Sequence, residues 1–353
     1  MFSDISLGLD QWVGLGVAAL LILFFALALV RSILIPTLPA ASSGAPAPDC
    51  MVVIPARNEA ACIARAVAGF PHDTVIVVDD HSTDGTAEVA RKAGAGVLLA
   101  PPLPSGATGK ANACLAGSAV LSSKWILFAD ADTWYEPGFL EAAVARAESG
   151  EFAFVSFYPK LECETAAEAI LAPYAQAIFF CGVERAADPT AIFNGQCMLV
   201  RREAYEFVGA HRAVLNTITD DVKLAALARR HRMKYATFRT NLAHVRLREP
   251  WTAFRRGALR FMAVRFWMGM TLVAAAGIAA LWLPVLAWLI AQHHLRSAAM
   301  FGLLPVILAL PWYGNPLRAL GTPLAIYGMI PILWKGVTGA LGRGRQSWKG
   351  RTI

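Results

Sequence analysis

Charge is what this sequence has least of. Only 16% of its 353 residues are Asp, Glu, Lys or Arg, where an ordinary soluble chain carries about a quarter. The apolar excess is not spread evenly but gathers at the two ends, which excludes a uniformly soluble enzyme and predicts membrane segments flanking a soluble domain. Paired cysteines are missing too. Cys50, Cys62, Cys114, Cys163, Cys181 and Cys197 show no CxxC and no zinc-like spacing. Scattered thiols exclude a structural metal, fit a reducing cytosol, and read as small buried apolar residues. No internal repeat is visible. No Lys or Arg precedes Arg31.

That last absence orients the N-terminus. Trp12 to Val30 is an uncharged run of 19 residues, long enough to cross a hydrocarbon core of about 30 Å. A signal peptide would carry Lys or Arg ahead of the run; here Asp4 and Asp10 stand there. With Arg31 as the first cation, the positive-inside bias places the chain from Arg31 onward in the cytosol. Beyond Phe266 the chain turns apolar again. Met268 to Ala291 is long enough to span, Ala298 to Leu310 is short for a span, and Leu320 to Leu333 is interrupted by Pro323 and Pro331. The tail carries Lys335, Arg343, Arg345, Lys349 and Arg351, so it is expected in the cytosol. One late segment is then expected to be re-entrant or interfacial.

Charge is present, and of one sign, between Arg201 and Phe266, with fifteen Lys or Arg against five Asp or Glu. Nucleic acid is one partner for such a surface, but apolar segments on both sides favour anionic headgroups and a diphosphate. The stretch from Trp251 to Phe266 interleaves Trp251, Phe254, Phe261 and Phe266 with Arg255, Arg256, Arg260 and Arg265. It can lie in a headgroup plane or simply dock one element on another.

Between the ends the pattern changes. Pro36 to Pro48 reads as a linker. Met51–Ile54, Val75–Val78 and Trp125–Phe128 are strand candidates, and Glu59–Gly69 and Ala87–Ala93 carry helical spacing. Such alternation predicts an α/β domain with a mostly parallel sheet. Ligands of these sheets bind beyond the carboxyl ends of the strands. There the sequence places Arg57-Asn58-Glu59, Asp79-Asp80 and Asp130-Ala131-Asp132, three polar clusters converging on one edge.

Each cluster has a chemistry and a plain alternative. Asp130 and Asp132 at alternate positions suit one hard cation and its phosphate ligands, Mg²⁺ or Mn²⁺, with the ion stabilising a departing diphosphate; an isolated acidic pair often just faces water. A phosphatase D-x-D-x-T/V motif fails because position 134 is Trp. Asp79-Asp80 ahead of a small-residue turn suits base or ribose recognition, while Asp84 and Thr86 suit helix capping. Lys110 follows a Pro/Gly-rich stretch and is placed to reach a diphosphate, or else is a surface lysine. Thr219-Asp220-Asp221 precedes an amphipathic stretch, Val222 to His231. Adjacent carboxylates raise one pKa, which suits a general base, and N-capping is the alternative.

Taken in order, Val53-Ile54-Pro55-Ala56-Arg57-Asn58-Glu59, Val78-Asp79-Asp80-His81-Ser82-Thr83-Asp84-Gly85-Thr86, Gly109-Lys110, Asp130-Ala131-Asp132 and Thr219-Asp220-Asp221 resemble the family 2 glycosyltransferases, inverting enzymes with a GT-A fold. Asn194-Gly195-Gln196-Cys197 and the ending Trp348-Lys349-Gly350-Arg351 are closer to the hopene-associated branch and to carotenoid and related lipid glycosyltransferases.

The resemblance implies a nucleotide-sugar donor, UDP-linked, and a lipid acceptor at the inner, cytoplasmic membrane, with no nucleic acid. Pro55, Ala56, Arg57, Glu59, Asp79, Asp80, Lys110, Asp130, Ala131 and Asp132 would hold the donor. Asp132, with Asp130, would hold the metal, and Asp221 would deprotonate the acceptor hydroxyl. Gly195, Gln196, Asp220, Arg260, Trp348 and Arg351 would face the acceptor or the diphosphate. The implied division is residues 1–35 as a membrane helix, 36–48 as linker, 49–245 as the GT-A (Rossmann-like) domain, 246–266 as an interface segment, 267–340 as membrane segments and 341–353 as a basic cytosolic tail. Processive synthases carry Q-x-x-R-W; here the place is taken by Gly257-Ala258-Leu259-Arg260-Phe261. That departure favours a single transfer over polymer synthesis. A catalytically inactive nucleotide-sugar-binding scaffold is a third reading, opposed by the intact Asp80, Asp130, Asp132 and Asp221.

Overall fold

The computed structural model describes residues 9–40, 47–181, 193–217, 219–246, 266–341, 347–348 and 351–352. In chain order the elements are α1 (Leu9–Ile33), β1 (Cys50–Ala56), α2 (Ile63–Ala68), β2 (Val75–Asp79), α3 (Thr86–Lys92), β3 (Gly96–Leu99), α4 (Gly109–Ala119) and β4 (Trp125–Ala129). Then follow β5 (Thr133–Tyr135), α5 (Phe139–Ser149), β6 (Phe154–Glu162), α6 (Ala166–Cys181), β7 (Cys197–Arg201), α7 (Arg202–Phe207), a 3-10 turn (Ala210–Val214), α8 (Asp220–Arg230) and β8 (Tyr235–Arg246). Helices Phe266–Ala291, Leu295–Tyr313, Pro316–Ala319 and Thr322–Leu341 come next, and then the two-residue strands Ser347–Trp348 and Arg351–Thr352.

The chain divides into two compact units. One gathers residues 35–162, 187–246 and 345–353. Its sheet runs β3-β2-β1-β4-β7-β6-β8-β5. The first four strands are parallel, as a βαβ pattern demands. From β4 onward the sheet is mixed: β7 lies antiparallel to both β4 and β6, β5 is antiparallel to β8, and β6 and β8 are parallel. The expected mostly parallel sheet therefore describes the first half only. The predicted strands end where the polar clusters begin, so Arg57, Asp80 and Asp130 follow the carboxyl ends of three adjacent strands.

Successive residues of a strand point to opposite faces, and both faces here are covered. Val52, Ile54 and Ala56 of β1 pack with Ile63 and Ala66 of α2 and Phe139 and Ala143 of α5. Val53 packs on the other face with Ala113 and Cys114 of α4 and Leu224 and Ala228 of α8. Burial on both faces explains why β1, β2 and β4 read as continuous apolar runs. Gly117 lets α4 lie close to the sheet. A Cβ there would stand 2.6 Å from Val53 Cγ1 and 2.8 Å from Val78 Cγ2. Gly117→Ala is expected to cost about 1–3 kcal/mol by overpacking. A thermal midpoint equal to wild type would show that the two valines simply turn aside.

The first residues of the predicted linker are anchored rather than loose. Leu38 N donates to Arg239 O (2.8 Å), Arg239 N to Pro36 O (2.8 Å), and Arg239 Nε to Ile35 O (3.1 Å).

The other unit gathers residues 1–34, 163–186 and 247–344. It thus takes in α6, which lies in the chain between β6 and β7. α6 begins on a capping box: Glu168 Oε2 accepts from Glu164 N (2.8 Å) and Thr165 N (3.3 Å), and Glu168 N donates to Thr165 Oγ1 (3.2 Å). The rest of α6 is apolar. Tyr174 lies against Phe24 and Phe25 of α1, and Tyr313 donates to Ile170 O (2.7 Å).

Among the described residues two helices, Gln11–Ile33 and Leu295–Tyr313, are long and apolar enough to cross a membrane. The second corrects the short span expected at Ala298 to Leu310, because helix runs on through Pro305 and Pro311. The segment read as interrupted by prolines is likewise one continuous helix, Thr322–Leu341, with Pro323 in its first turn and Pro331 inside. Pro284 is likewise carried inside the helix Phe266–Ala291, and beside it Leu283 N donates to Tyr327 OH (2.9 Å). The predicted interface segment, Trp251 to Phe266, lies almost wholly outside the described residues.

Candidate active site

The polar edge is built from two stitched loops and one half-buried cation. After β1 the chain turns through Asn58, at φ 54°, and after β2 through His81, at φ 55°. Side chains tie the two turns together. Asn58 N donates to Ser82 Oγ (2.9 Å), Thr83 N to Asn58 Oδ1 (2.9 Å), Glu59 N to Thr86 Oγ1 (2.8 Å) and Ala60 N to Asp84 Oδ2 (3.0 Å). Asp84 Oδ1 also accepts from Thr86 N (3.0 Å), so Asp84 and Thr86 serve the turn. Asp79 is buried and accepts from Ser82 N at 3.3 Å. Asp80 is buried too, with its N–H on Ala56 O (2.8 Å) and its carboxylate 3.8 Å from Arg57 Nη1. Pro55 and Ala56 form the last of β1, and Glu59 Oε2 accepts from Cys62 Sγ at 3.1 Å.

Asp130 follows β4. Its N–H donates to Gln196 O (2.9 Å), and its own carbonyl accepts from Thr133 N (3.1 Å) and Thr133 Oγ1 (2.6 Å). That tight turn carries Ala131 buried and Asp132 exposed. Lys110, in the first turn of α4, bridges the two sides of the edge. Its Nζ lies 2.5 Å from Asp130 Oδ1 and donates to Gly195 O at 2.8 Å. Burial disfavours its charge, but the carboxylates of Asp130 and Asp220 outweigh that and hold the ammonium well above the usual lysine range.

Asp220 and Asp221 open α8. They do not cap it from outside, since both are helical residues. Asp221 Oδ2 accepts from Gly195 N (2.7 Å) and Oδ1 from Val222 N (2.8 Å). Gly195 is needed for that approach, because a Cβ there would meet Asp221 Oδ2 at 3.0 Å. Burial, then the charge of Asp220, raises the Asp221 carboxyl; Lys110 and the two N–H donors only partly offset them. Asp220 moves the other way. Burial opposes its charge, but the His211 hydrogen bond and Lys110 outweigh burial and hold it ionised. One carboxylate is thus pushed toward neutrality beside another kept charged.

The structure therefore joins Lys110, Asp130, Gly195 and Asp221 in one hydrogen-bonded cluster and places Arg57 one strand and Asp80 two strands away on the same edge. Gln196 turns its side chain to Asn194, whose Nδ2 donates to Gln196 Oε1 (3.0 Å). Arg260 lies outside the described residues, and of Trp348 and Arg351 only the backbone is described. Sequence reasoning missed Asn58 as a stitch, and His211, Tyr205 and Ser118 behind Asp220; no spacing or motif marks them.

The sheet carries its acidic residues beyond the carboxyl ends of its parallel strands, where α/β sheets bind their ligands. Residues 51–209 match the family model described as Glycosyl transferase family 2. That stretch is a family 2 glycosyltransferase domain with a Rossmann-like GT-A sheet. Over 87 residues the chain is 38% identical to the 4,4'-diaponeurosporenoate glycosyltransferase of Staphylococcus haemolyticus, a match covering 23% of each chain. The match therefore spans less than a quarter of that relative. A mannosyltransferase of Pyrobaculum calidifontis, solved with GDP-Man and Mn²⁺, shares the fold at a TM-score of 0.53 and 18% identity, over 95% of this chain and 99% of that one.

A divalent metal fits this edge on the chemistry of its donors. Among the described residues no group of three His, Cys, Asp or Glu converges to hold an ion. Asp130 and Asp132 thus offer one or two hard oxygens, the set that suits Mg²⁺ or Mn²⁺ bound jointly with substrate phosphates. Lys110 already lies on Asp130 Oδ1, and Asp132 is exposed at the same turn.

Proposed function

We propose that this protein is an inverting glycosyltransferase that moves one sugar from a nucleotide-sugar donor, UDP-linked, to the hydroxyl of a membrane lipid of hopanoid, polyisoprenoid or carotenoid type. The observation that carries the reading is the pinned Asp221. Two backbone N–H groups fix its carboxylate, one from the Gly195 loop that Lys110 ties to Asp130.

In this reading Asp80 and Arg57 meet the nucleoside, with Pro55, Ala56 and Glu59 shaping that pocket. Asp130 and Asp132 face ribose and diphosphate, and a divalent ion held by Asp132 supplies charge stabilisation to the departing diphosphate. Asp221 takes the proton from the acceptor hydroxyl. The acceptor oxygen forms its bond to the anomeric carbon as the bond to the diphosphate breaks, and the nucleoside diphosphate leaves. A single displacement inverts that carbon. The lipid acceptor and the inner-membrane location, with the domain on the cytosolic side, draw support from three features: the carotenoid glycosyltransferase relative, the two apolar helices and Arg31 as the first cation.

The test is turnover by detergent-purified protein with UDP- and GDP-sugars, Mn²⁺ and a total lipid extract, read by mass spectrometry. A lipid gaining one sugar supports the reading. Several sugars per acceptor would instead make it a polymer synthase, and nucleotide binding without turnover a scaffold. Asp132→Ala is expected to weaken Mn²⁺-dependent UDP binding by about tenfold or more. Equal UDP affinity with and without Mn²⁺ in wild type would remove Asp132 from that role.

A further inference from the structure

Behind Asp220 runs a chain of polar groups that the transfer chemistry does not use. Asp220 Oδ2 lies 3.4 Å from His211 Nε2. His211 Nδ1 lies 2.6 Å from Tyr205 OH, and Tyr205 OH lies 3.2 Å from Ser118 Oγ. Tyr205 OH also accepts from His211 N at 3.0 Å. His211 and Tyr205 are each 1% exposed, and the imidazole lies edge-on to Phe128 at 4.7 Å between ring centroids. Four polar residues are thus sunk in an apolar core. Such a network is costly unless every member is satisfied.

The protons can be counted. A carboxylate of Asp220 accepts only, so the imidazole must present N–H at Nε2. That leaves two arrangements for Nδ1. With a neutral ring, Nδ1 accepts from Tyr205 and Tyr205 accepts from His211 N, while Ser118 shares its one proton between Tyr205 and Leu115 O, 3.0 Å away. With an imidazolium, Nδ1 donates to Tyr205, and Tyr205 donates to Ser118. In both, Tyr205 fixes the side of the ring that faces Asp220, as a second-shell partner does for a catalytic or ligating histidine.

We propose that Tyr205 and His211 are positioning residues for the transfer, a buried relay that keeps a proton on Nε2 and thereby keeps Asp220 ionised beside Asp221. The proposal rests on Asp221 being the proton acceptor. The groups facing the Asp220–Asp221 pair are Lys110 and Cys114 from α4, Tyr205 from α7 and His211 from the 3-10 turn, with Asp130 behind Lys110. Of these, Lys110 and His211 support a charge on Asp220. Lys110 is shared with Asp130, whereas His211 serves Asp220 alone. When the relay breaks, Asp220 takes up a proton, and Asp221 loses the neighbouring charge that makes it a stronger base.

The experiment has a kinetic arm and a spectroscopic arm. Tyr205→Phe and His211→Gln, assayed with the nucleotide sugar and lipid that wild type uses, are expected to lower kcat by about tenfold or more. The donor KM is expected to stay within about twofold. The acid limb of the kcat–pH profile is expected to move to lower pH in both, as it does in Asp220→Asn. A structural role alone would lower activity without moving the limb downward. Folded Tyr205→Phe with wild-type kcat and limb would overturn the proposal. Transfer surviving in Asp221→Asn would instead overturn the reading of the base. The spectroscopic arm needs neither turnover nor a tolerated variant at Tyr205. In protein labelled with ¹⁵N-histidine, the His211 signals are those lost in His211→Gln. They are expected to show a protonated Nε2 at pH 7.5, and an unprotonated Nε2 would sink the relay whatever the substrate proves to be.

Discussion

Asp221→Asn is expected to leave UDP binding within a few-fold of wild type and to lower transfer by about 10²- to 10⁴-fold, the range that general-base removal commands. The argument is one of position first. Asp221 is held by Gly195 N and Val222 N, while the nucleoside side of the edge is built by other loops, so its loss should act on the reacting hydroxyl and not on the donor. Protonation comes second. Burial and then Asp220 raise the Asp221 carboxyl, so the ionised, proton-accepting form exists only above that raised value. In wild type kcat should therefore fall on the acid side well before ordinary carboxylates titrate, and the residual activity of Asp221→Asn should lack that limb. Equal loss of UDP binding and transfer would move Asp221 out of the acceptor role and into the donor site.

The parts of this edge that were legible in the sequence are those where one strand ends and one polar cluster begins. Val75 to Val78 and Trp125 to Phe128 are apolar at every position because helices cover both faces of the sheet, and such runs are read without knowing their partners. The second half of the sheet was not legible. β6, β7 and β8 are brought together across long stretches of chain, with α6 intervening between β6 and β7, and no local period announces an antiparallel β7.

Proline misled at the C-terminal end. Pro323 and Pro331 read as interruptions, yet Thr322–Leu341 is one helix, with Pro323 in its first turn, where a missing N–H costs nothing, and Pro331 carried inside. At the site, Asp130 and Asp132 stood out as alternate carboxylates after an apolar strand, and Asp221 as one of two adjacent carboxylates ahead of an amphipathic stretch. His211 did not, because its meaning lies in Tyr205 six residues before it and Asp220 nine after it, positions that only a 3-10 turn folded onto α4 brings together.

Lys110→Met is expected to cost both fold and function, and the pH dependence of the first identifies the cause. The ammonium lies between Asp130 Oδ1 and Gly195 O, with Asp220 near enough to act on it. Methionine keeps most of the stem and removes only the charge and its donors. Breaking a fully buried ion pair costs about 3–5 kcal/mol. Here the Lys110 and Asp130 side chains are 26% and 27% exposed, so water screens part of the pair, and a loss of about 2 kcal/mol is expected.

The sign with pH follows from Asp220. Its carboxyl is held below the usual range in the fold, by His211 and Lys110 against burial. The stability it contributes is therefore present above the unfolded carboxylate range and lost as pH falls through the folded value. The difference in thermal midpoint between wild type and Lys110→Met should accordingly be widest near pH 7, begin to narrow below about pH 4 and vanish as Asp220 protonates at about 2. UDP affinity should fall at the same time, because the Gly195 loop loses its tie to Asp130. A gap that persists unchanged into acid would mean that Lys110 matters through packing of its stem. Unchanged melting with lost UDP binding would make it a direct ligand of the diphosphate, with no part in holding the edge together.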